Sequence, residues 1–311
     1  MELSIVVPCY NEEAVVEETA SRLLQHLAAL VSARRVASSS RIFFVDDGSR
    51  DRTWAMIESL AARNPQVKGI KLSRNRGHQA ALLAGLLTVP GDAVISVDAD
   101  LQDDLAAISE MVDAHESGIQ IVYGVRRSRQ SDSRFKRWTA ELYYKVLARL
   151  GVEIVFNHAD YRLLSRRALD ALAKYGEANI FLRGLVPQLG FASSTVLYDR
   201  HERFAGESKY PLRKMLALAW NSVTSFSAAP LRFITALGFL VSLGSLSITA
   251  WAIYTRLFRD TAVPGWASTV LPIYFLGGIQ LLSIGMIGEY VAKIYLESKR
   301  RPRFEIERIL E

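Results

Sequence analysis

The sequence predicts an α/β fold: a mostly parallel, doubly wound sheet in the first part of the chain, followed by membrane-associated helices. Three observations carry this expectation. Short apolar runs alternate with helical periodicity from Leu3 to Tyr123, each run ends in polar residues, and two long apolar stretches lie beyond Pro230.

The elements follow in order. Leu3 to Val7 reads as a strand, and Glu13 to Leu30 as a helix with Val16, Ala20, Leu23, Leu24, Leu27 and Leu30 at helical spacing. Ile42 to Val45 is a second strand and Arg52 to Arg63 a helix; Val67 to Leu72 is a third strand and Gln79 to Leu87 a helix. Ala93 to Val97 is short, β-branched and almost wholly apolar, as a strand covered on both faces should be. Leu105 to Glu116 is helical, and Ile119 to Tyr123 and Ser193 to Tyr198 are further strands. Such βαβα alternation predicts right-handed crossovers and a parallel sheet whose carboxyl edge binds ligands.

Of 311 residues, 50% are hydrophobic and the net charge is +6. The single Cys9 excludes an internal disulfide framework and fits a reducing compartment. No signal peptide is expected, because Met1 leads straight into a strand pattern. The basic residues cluster beside the apolar stretches and in one short loop, which favours a phosphate-rich small ligand and an anionic bilayer over nucleic acid.

The strand ends converge on one crevice. The first is followed by Pro8, Cys9, Tyr10, Asn11 and Glu12, the second by Asp46, Asp47 and Gly48, the third by Ser73 to His78, and the fourth by Asp98 to Asp104. Neither a G-x-G-x-x-G after a strand nor a P-loop is present, so a dinucleotide or P-loop site is not supported. Tyr10 suits the face of a base, and Asp46 or Asp47 suits an imide N–H or a ribose hydroxyl; a plain turn is the alternative for Asp46 to Gly48. Asp98 and Asp100 repel one another unless a cation lies between them, and their hard oxygens suit Mg²⁺ or Mn²⁺. The same residues are also common turn and N-cap formers, so taken alone they leave both readings open.

Taken together, VVPCYNEE at Val6 to Glu13, VDDGSRDRT at Val45 to Thr53, RNRGHQAAL at Arg74 to Leu82 and DADLQDD at Asp98 to Asp104 resemble glycosyltransferase family 2, in order and spacing. The resemblance implies the GT-A fold, with Pro8, Tyr10, Glu12, Asp46 and Asp47 at the nucleotide of a sugar donor. It implies a divalent metal on Asp98 and Asp100, with Gln102 as helper. The Q-x-x-R-W signature of the processive synthases is absent. The branch most resembled is the polyisoprenyl-phosphate glycosyltransferases, in which an Asp matching Asp160 lies beside the reacting centre; Asp160, Asp100 and Arg162 are the catalytic candidates. His158 is read as structural.

Gly124 to Arg137 is rich in Arg and Lys, and Arg forks suit phosphate; Arg126 and Arg127 are favoured over Arg134 and Lys136. Arg200, Arg203, Ser208 and Lys209 flank Gly206 and supply further donors for phosphate oxygens, with a basic juxtamembrane linker as the alternative. From Pro211, Leu212, Met215, Leu216, Ala219, Trp220 and Val223 fall on one face, as in an interfacial helix.

Phe233 to Thr255 carries no charge and spans roughly 35 Å as a helix, enough to cross a bilayer; Thr269 to Val291 is a second candidate, with Glu289 near its end. Arg213, Lys214 and Arg232 precede the first span, and Lys293, Lys299, Arg300, Arg301 and Arg303 follow the second, against Arg256 and Arg259 between them. That asymmetry places the catalytic domain and both termini in the cytoplasm, in a multi-pass protein of the bacterial cytoplasmic membrane. The expected organisation is a GT-A domain over residues 1–210, an amphipathic helix over 211–230, two spans over 231–296 and a basic tail over 297–311.

The resemblance implies inverting transfer of a hexose from a nucleotide sugar to a polyprenyl phosphate, with UDP-glucose and undecaprenyl phosphate first. GDP-mannose, UDP-GlcNAc, UDP-galactose and UDP-aminoarabinose derivatives stay open as donors. A membrane nucleotide-sugar sensor without turnover is the reading from another class. The residues leave the oligomeric state open, a homo-oligomer included.

Overall fold

A computed structural model describes residues 1–127, 158–177, 180–199, 224, 229–258 and 266–310. The chain divides into two compact units, Met1–Arg149 with Glu153–Leu212 and Arg300–Glu311, and Leu150–Val152 with Arg213–Lys299.

The first unit is built on β1 (Leu3–Cys9), β2 (Arg41–Asp46), β3 (Val67–Leu72), β4 (Ala93–Ser96), β5 (Ile121–Arg126), β6 (His158–Ser165), β7 (Ser193–Tyr198) and β8 (Ile306–Leu310). They form one sheet in the order β7-β5-β6-β4-β1-β2-β3-β8. All neighbours pair in parallel except β6, antiparallel to β4 and β5, and β8, antiparallel to β3. The GT-A-like α/β architecture and the mostly parallel sheet expected from the sequence are therefore present.

Helices α1 (Val16–Ser32), α2 (Thr53–Arg63), α3 (His78–Thr88) and α4 (Ala107–Glu116) cross between the parallel strands, and α5 (Arg166–Leu172) and α6 (Leu182–Gln188) follow β6. Burial explains the near-continuous apolar strands: every residue of β1 and β4 is buried. Helix α3 lies close against the sheet, since a Cβ on Gly85 would meet Val6 Cγ1 at 2.4 Å and Val45 Cγ2 at 2.8 Å.

Two strands escaped the sequence reading, and both matter. Because β6 runs against its neighbours, its first residues lie at the edge where β1, β2, β4 and β5 end. Ser96 pairs with Arg162, and the same register continued two residues brings Asp160 level with Asp98. Strand β8 falls in the stretch expected to be only a basic tail. Glu305 O accepts from Ser73 N at 3.0 Å, Lys71 Nζ meets Glu307 at 3.1 Å, and Leu310 occupies the space beside Gly69. The strand covers the open edge of β3, which would otherwise expose unpaired backbone groups.

The second unit contains α7 (Ala229–Phe258) and α8 (Trp266–Ser298). Phe239, Trp251, Leu281 and Ile294 are among its exposed apolar side chains. Among the described residues, one segment, Phe275–Ser298, is long and apolar enough to cross a membrane, and Pro230–Val241 is a shorter apolar stretch. The expected pair of spanning segments is thus matched by one on length and composition. The amphipathic helix expected from Pro211 lies outside the described residues.

Candidate active site

Four loops build the crevice at the carboxyl edge. The β1 and β2 loops are laced together: Asn11 N donates to Ser49 Oγ at 3.0 Å, Arg50 N to Asn11 Oδ1 at 2.9 Å, and Glu12 N to Thr53 Oγ1 at 2.8 Å. Asn11 takes a φ of 55°, a left-handed turn that Asn tolerates. Tyr10, directly after β1, is 39% exposed.

Asp46 and Asp47 do different work. The Asp46 carboxylate accepts from Ser49 N at 3.3 Å. Asp47 reaches across to the β3 loop, where its two oxygens accept from Arg76 N at 2.7 Å and Gly77 N at 2.8 Å. Gly48 is required beside it: at φ 67°, a Cβ would meet Arg74 C and Asn75 N at 2.7 Å. Burial raises the pKa of both acids against the opposing hydrogen bonds. Asp47 thus clasps the loop that leads into His78, the first residue of α3.

The other side of the crevice is held by charge. Asp160, 6% exposed, accepts from Arg162 Nη2, from Arg183 Nε at 3.3 Å and Nη2 at 3.2 Å, and from Gln79 Nε2 at 3.0 Å. Gln79 Oε1 accepts from Leu182 N at 3.1 Å, tying the start of α6 to the same carboxylate. His78 Nε2 lies 3.6 Å from Asp160 Oδ2 and 3.7 Å from Asp98 Oδ1. Burial alone would push the Asp160 pKa up, but Arg183, His78 and Arg162 hold it well below the ordinary carboxylate range. The result is a group held in its ionised form at neutral pH, and a poor proton acceptor there.

Comparison with known proteins identifies the family. Residues 4–173 match the family described as "Glycosyl transferase family 2". An "Uncharacterized glycosyltransferase YkoT" of Bacillus subtilis is 51% identical over 98% of this chain and 91% of its own length. The "Prophage bactoprenol glucosyl transferase homolog" of Escherichia coli is 36% identical, covering 99% of both chains. The "Bactoprenol glucosyl transferase" of Shigella phage SfV is 38% identical over 99% of this chain and 98% of its own.

The chain belongs to glycosyltransferase family 2.

In this glycosyltransferase, Asp98 and Asp100 follow β4, and the turn between them and the next helix is tight. Leu101 has φ 56°, and Gln102 N donates to Asp100 Oδ1 at 3.2 Å. Burial, with Asp103, Asp160 and Asp100 nearby, raises Asp98 to about 6, although His78 opposes the shift. Crowded acids of this kind favour a cation. Among the described residues no three His, Cys, Asp or Glu groups gather into a complete metal cage. The two carboxylates fit a hard divalent ion whose other ligands are water and substrate phosphate, the usual arrangement for Mg²⁺.

The remaining expected residues divide. Arg126 is drawn back: its Nε donates to Tyr198 OH at 3.3 Å, its Nη2 lies 3.7 Å from Asp103, and Tyr198 OH donates to Asp103 at 2.6 Å. Arg127 pairs at 3.5 Å with Asp199, both more than 60% exposed. Arg162 is fully buried and also donates to Leu182 O at 3.3 Å, so it supports Asp160 from below. Pro8 is buried and Glu12 half-buried at the end of β1. Arg134, Lys136, Arg200, Arg203, Ser208 and Lys209 lie outside the described residues.

Sequence reading gave no role to His78, Gln79, Asp103, Arg183 or Tyr198. His78 and Gln79 stand inside RNRGHQAAL, directly after the glycine that opens α3, and that position was the available signal.

Proposed function

We propose that this enzyme transfers glucose from UDP-glucose to a polyprenyl phosphate at the cytoplasmic membrane face, with inversion at the anomeric carbon. The observation that carries the reading is the end-to-end match to proteins named bactoprenol glucosyl transferase, with the crevice carboxylates in a family 2 frame. Two spanning segments, 233–255 and 269–291, anchor the domain beside the lipid surface, with both termini in the cytoplasm.

In this reading Tyr10 lies against the base, and Pro8, Glu12, Asp46 and Asp47 shape the nucleotide pocket, Asp47 through its clasp on the β3 loop. Asp98, Asp100 and Gln102 would hold a Mg²⁺ or Mn²⁺, which would offset the charge of the departing diphosphate. The acceptor phosphate is already largely ionised at neutral pH, so the attack needs no strong base. Asp160, held anionic by the guanidiniums of Arg162 and Arg183 and by its contact with His78, orients its neighbours and takes up no proton. Arg127, with Arg134, Lys136, Arg200, Arg203, Ser208 and Lys209, offsets charge as two anionic groups approach, and Arg126 steadies Asp103.

The test is direct. Membranes containing the protein are incubated with labelled UDP-glucose, GDP-mannose, UDP-GlcNAc and UDP-galactose, and the lipid is extracted. Label in polyprenyl lipid from UDP-glucose alone is the expected result. Label from another donor replaces the sugar, and none from any donor, with nucleotide sugar still bound, leaves a sensor.

A further inference from the structure

We infer that Tyr161 and Tyr198 are positioning residues for the cation site of Asp98 and Asp100: their hydroxyls pin two later residues of the same loop, Asp104 and Asp103, from inside the fold. The inference rests on the transfer reaction proposed above, from which it takes the divalent ion at this loop, and it adds what holds the loop in shape.

The observations begin in the sheet. Tyr161 on β6 and Tyr198 on β7 are buried, on the two strands that flank β5. Their rings meet edge to face, with centroids 5.2 Å apart and planes at 82°. Gly124 of β5 leaves room for the Tyr161 ring, since a Cβ there would meet Tyr161 Cδ1 at 2.9 Å. The packed pair delivers two hydroxyls to consecutive residues: Tyr198 OH donates to Asp103 Oδ1 at 2.6 Å, and Tyr161 OH to Asp104 O at 3.0 Å. Burial, with Asp103 adding to it, raises the pKa of both phenols, so both stay protonated and remain donors. Thr19 ties the loop nearer its start, its Oγ1 2.8 Å from Ala99 O.

Charge and geometry connect these ties to the cation. Asp98 and Asp100 repel one another, and Asp103 adds to the repulsion on Asp98. A loop free to move would relieve that repulsion by turning the acids apart, and a cation would then have to gather them again at a cost in affinity. Ties at Ala99, Asp103 and Asp104 oppose that movement from both sides of Asp100. A buried hydroxyl needs a partner in any fold. Here both hydroxyls find theirs in the acidic loop, and support behind a metal's ligands is what tunes its affinity.

The experiment follows free Mn²⁺ by electron paramagnetic resonance as it is titrated into the purified full-length protein in detergent. UDP is present, and the pH is about 8, where carboxylates are ionised. Tyr161→Phe, Tyr198→Phe and the double variant keep the rings and lose only the hydroxyls. Ile57→Val, which thins the core beside Gly69 of β3, is the control. Each tyrosine variant should weaken Mn²⁺ binding about tenfold, the double variant more, and Ile57→Val should stay within about twofold of wild type. Loss of a hydroxyl leaves the loop no less negative, so weaker binding reports position rather than charge. In turnover, the Mn²⁺ concentration for half-maximal rate should rise by the same factor, with kcat at saturating Mn²⁺ and KM for the lipid unmoved. Wild-type affinity in both single variants, or an equal loss in Ile57→Val, overturns the inference. So does a fall in kcat at saturating Mn²⁺ with metal affinity unchanged. Should Tyr198→Phe fail to fold, wild-type affinity in Tyr161→Phe overturns it alone, and a wild type that binds no Mn²⁺ overturns it at the outset. Wild type that binds Mn²⁺ with UDP but makes no product with any nucleotide sugar would defeat the proposed reaction, and weakened binding in the tyrosine variants would leave this assignment standing.

Discussion

Asp47 and Asp160 are both buried carboxylates at the same edge of one sheet, yet the protein satisfies them by opposite means. Asp47 is met by the backbone N–H groups of Arg76 and Gly77, which are dipoles, and burial wins enough to raise its pKa. Asp160 is met by Arg162, Arg183 and His78, and full charges beat burial. The dipole-held side clasps loops and builds a pocket shape. The charge-held side fixes an electrostatic field, which is what a reaction between two phosphate compounds requires. Asp98 lies between them, a third exposed and drawn up to about 6, an acid whose counter-charge is incomplete.

The largest effect should come from that incomplete site. Asp100→Ala should lower kcat by about 10³-fold or more, equivalent to about 4 kcal/mol of barrier, while the melting temperature stays within a few degrees. Retention of full activity in a folded variant would remove Asp100 from the reaction and leave the field without a metal.

Next comes the contrast itself. Asp160→Asn leaves the fully buried Arg162 without its counter-ion, a change that typically costs about 3–5 kcal/mol. Asp47→Asn removes one acceptor from a pair of backbone donors and should cost about 1–3 kcal/mol. Denaturation of the two variants side by side decides the matter: equal losses would show that the charges around Asp160 add nothing beyond ordinary hydrogen bonds.

Acidity separates the two sides again, with opposite signs. Asp160 has a folded pKa below its unfolded value, so its contribution is present above about 4 and fades as pH falls through the depressed folded value. Asp98 has a folded pKa raised to about 6, so its contribution is full below its unfolded value and is lost as pH rises through about 6. In chelator, the melting temperature of wild type should therefore decline between pH 4 and pH 7 relative to Asp98→Asn. With Mn²⁺ present the decline should shrink, because metal competes with the proton for the same oxygens. A parallel pair of curves would show that Asp98 is not the crowded acid described here.

How much of this could be read from the residues alone depends on the reach of each contact. Strands β1, β2 and β4 were legible because burial on both faces demands near-continuous β-branched and apolar residues, a local signal. The acids after β2 and β4 were legible because strand ends in such a sheet carry ligands. Strand β6 was not, because its place between β4 and β5 depends on antiparallel pairing with strands far away in sequence. Strand β8 was hidden for the same reason: five residues after a basic run look like a tail until Lys71 and Glu307, 236 positions apart, are brought together. The partners of Asp160 were equally hidden, since Arg183 stands 23 residues away and Gln79 81 residues away. Sequence spacing shows what a residue can do, and only topology shows what it faces.

The smallest effect should fall on Arg127, where two roles separate cleanly. Its partner Asp199 lies 3.5 Å away, and both side chains are more than 60% exposed, so solvent and salt weaken the pair. Exposed pairs of this kind contribute about 0–1 kcal/mol. Arg127→Ala should accordingly leave the melting temperature unchanged, and any kinetic change reports substrate contact rather than folding. A threefold to tenfold rise in KM for polyprenyl phosphate, with KM for the nucleotide sugar unmoved, is the expected outcome. Because a weak surface partner is easily exchanged for a phosphate, Asp199→Asn should move the lipid KM the other way or not at all. A rise in both variants would mean that the pair itself shapes the substrate site rather than standing as a weak surface contact.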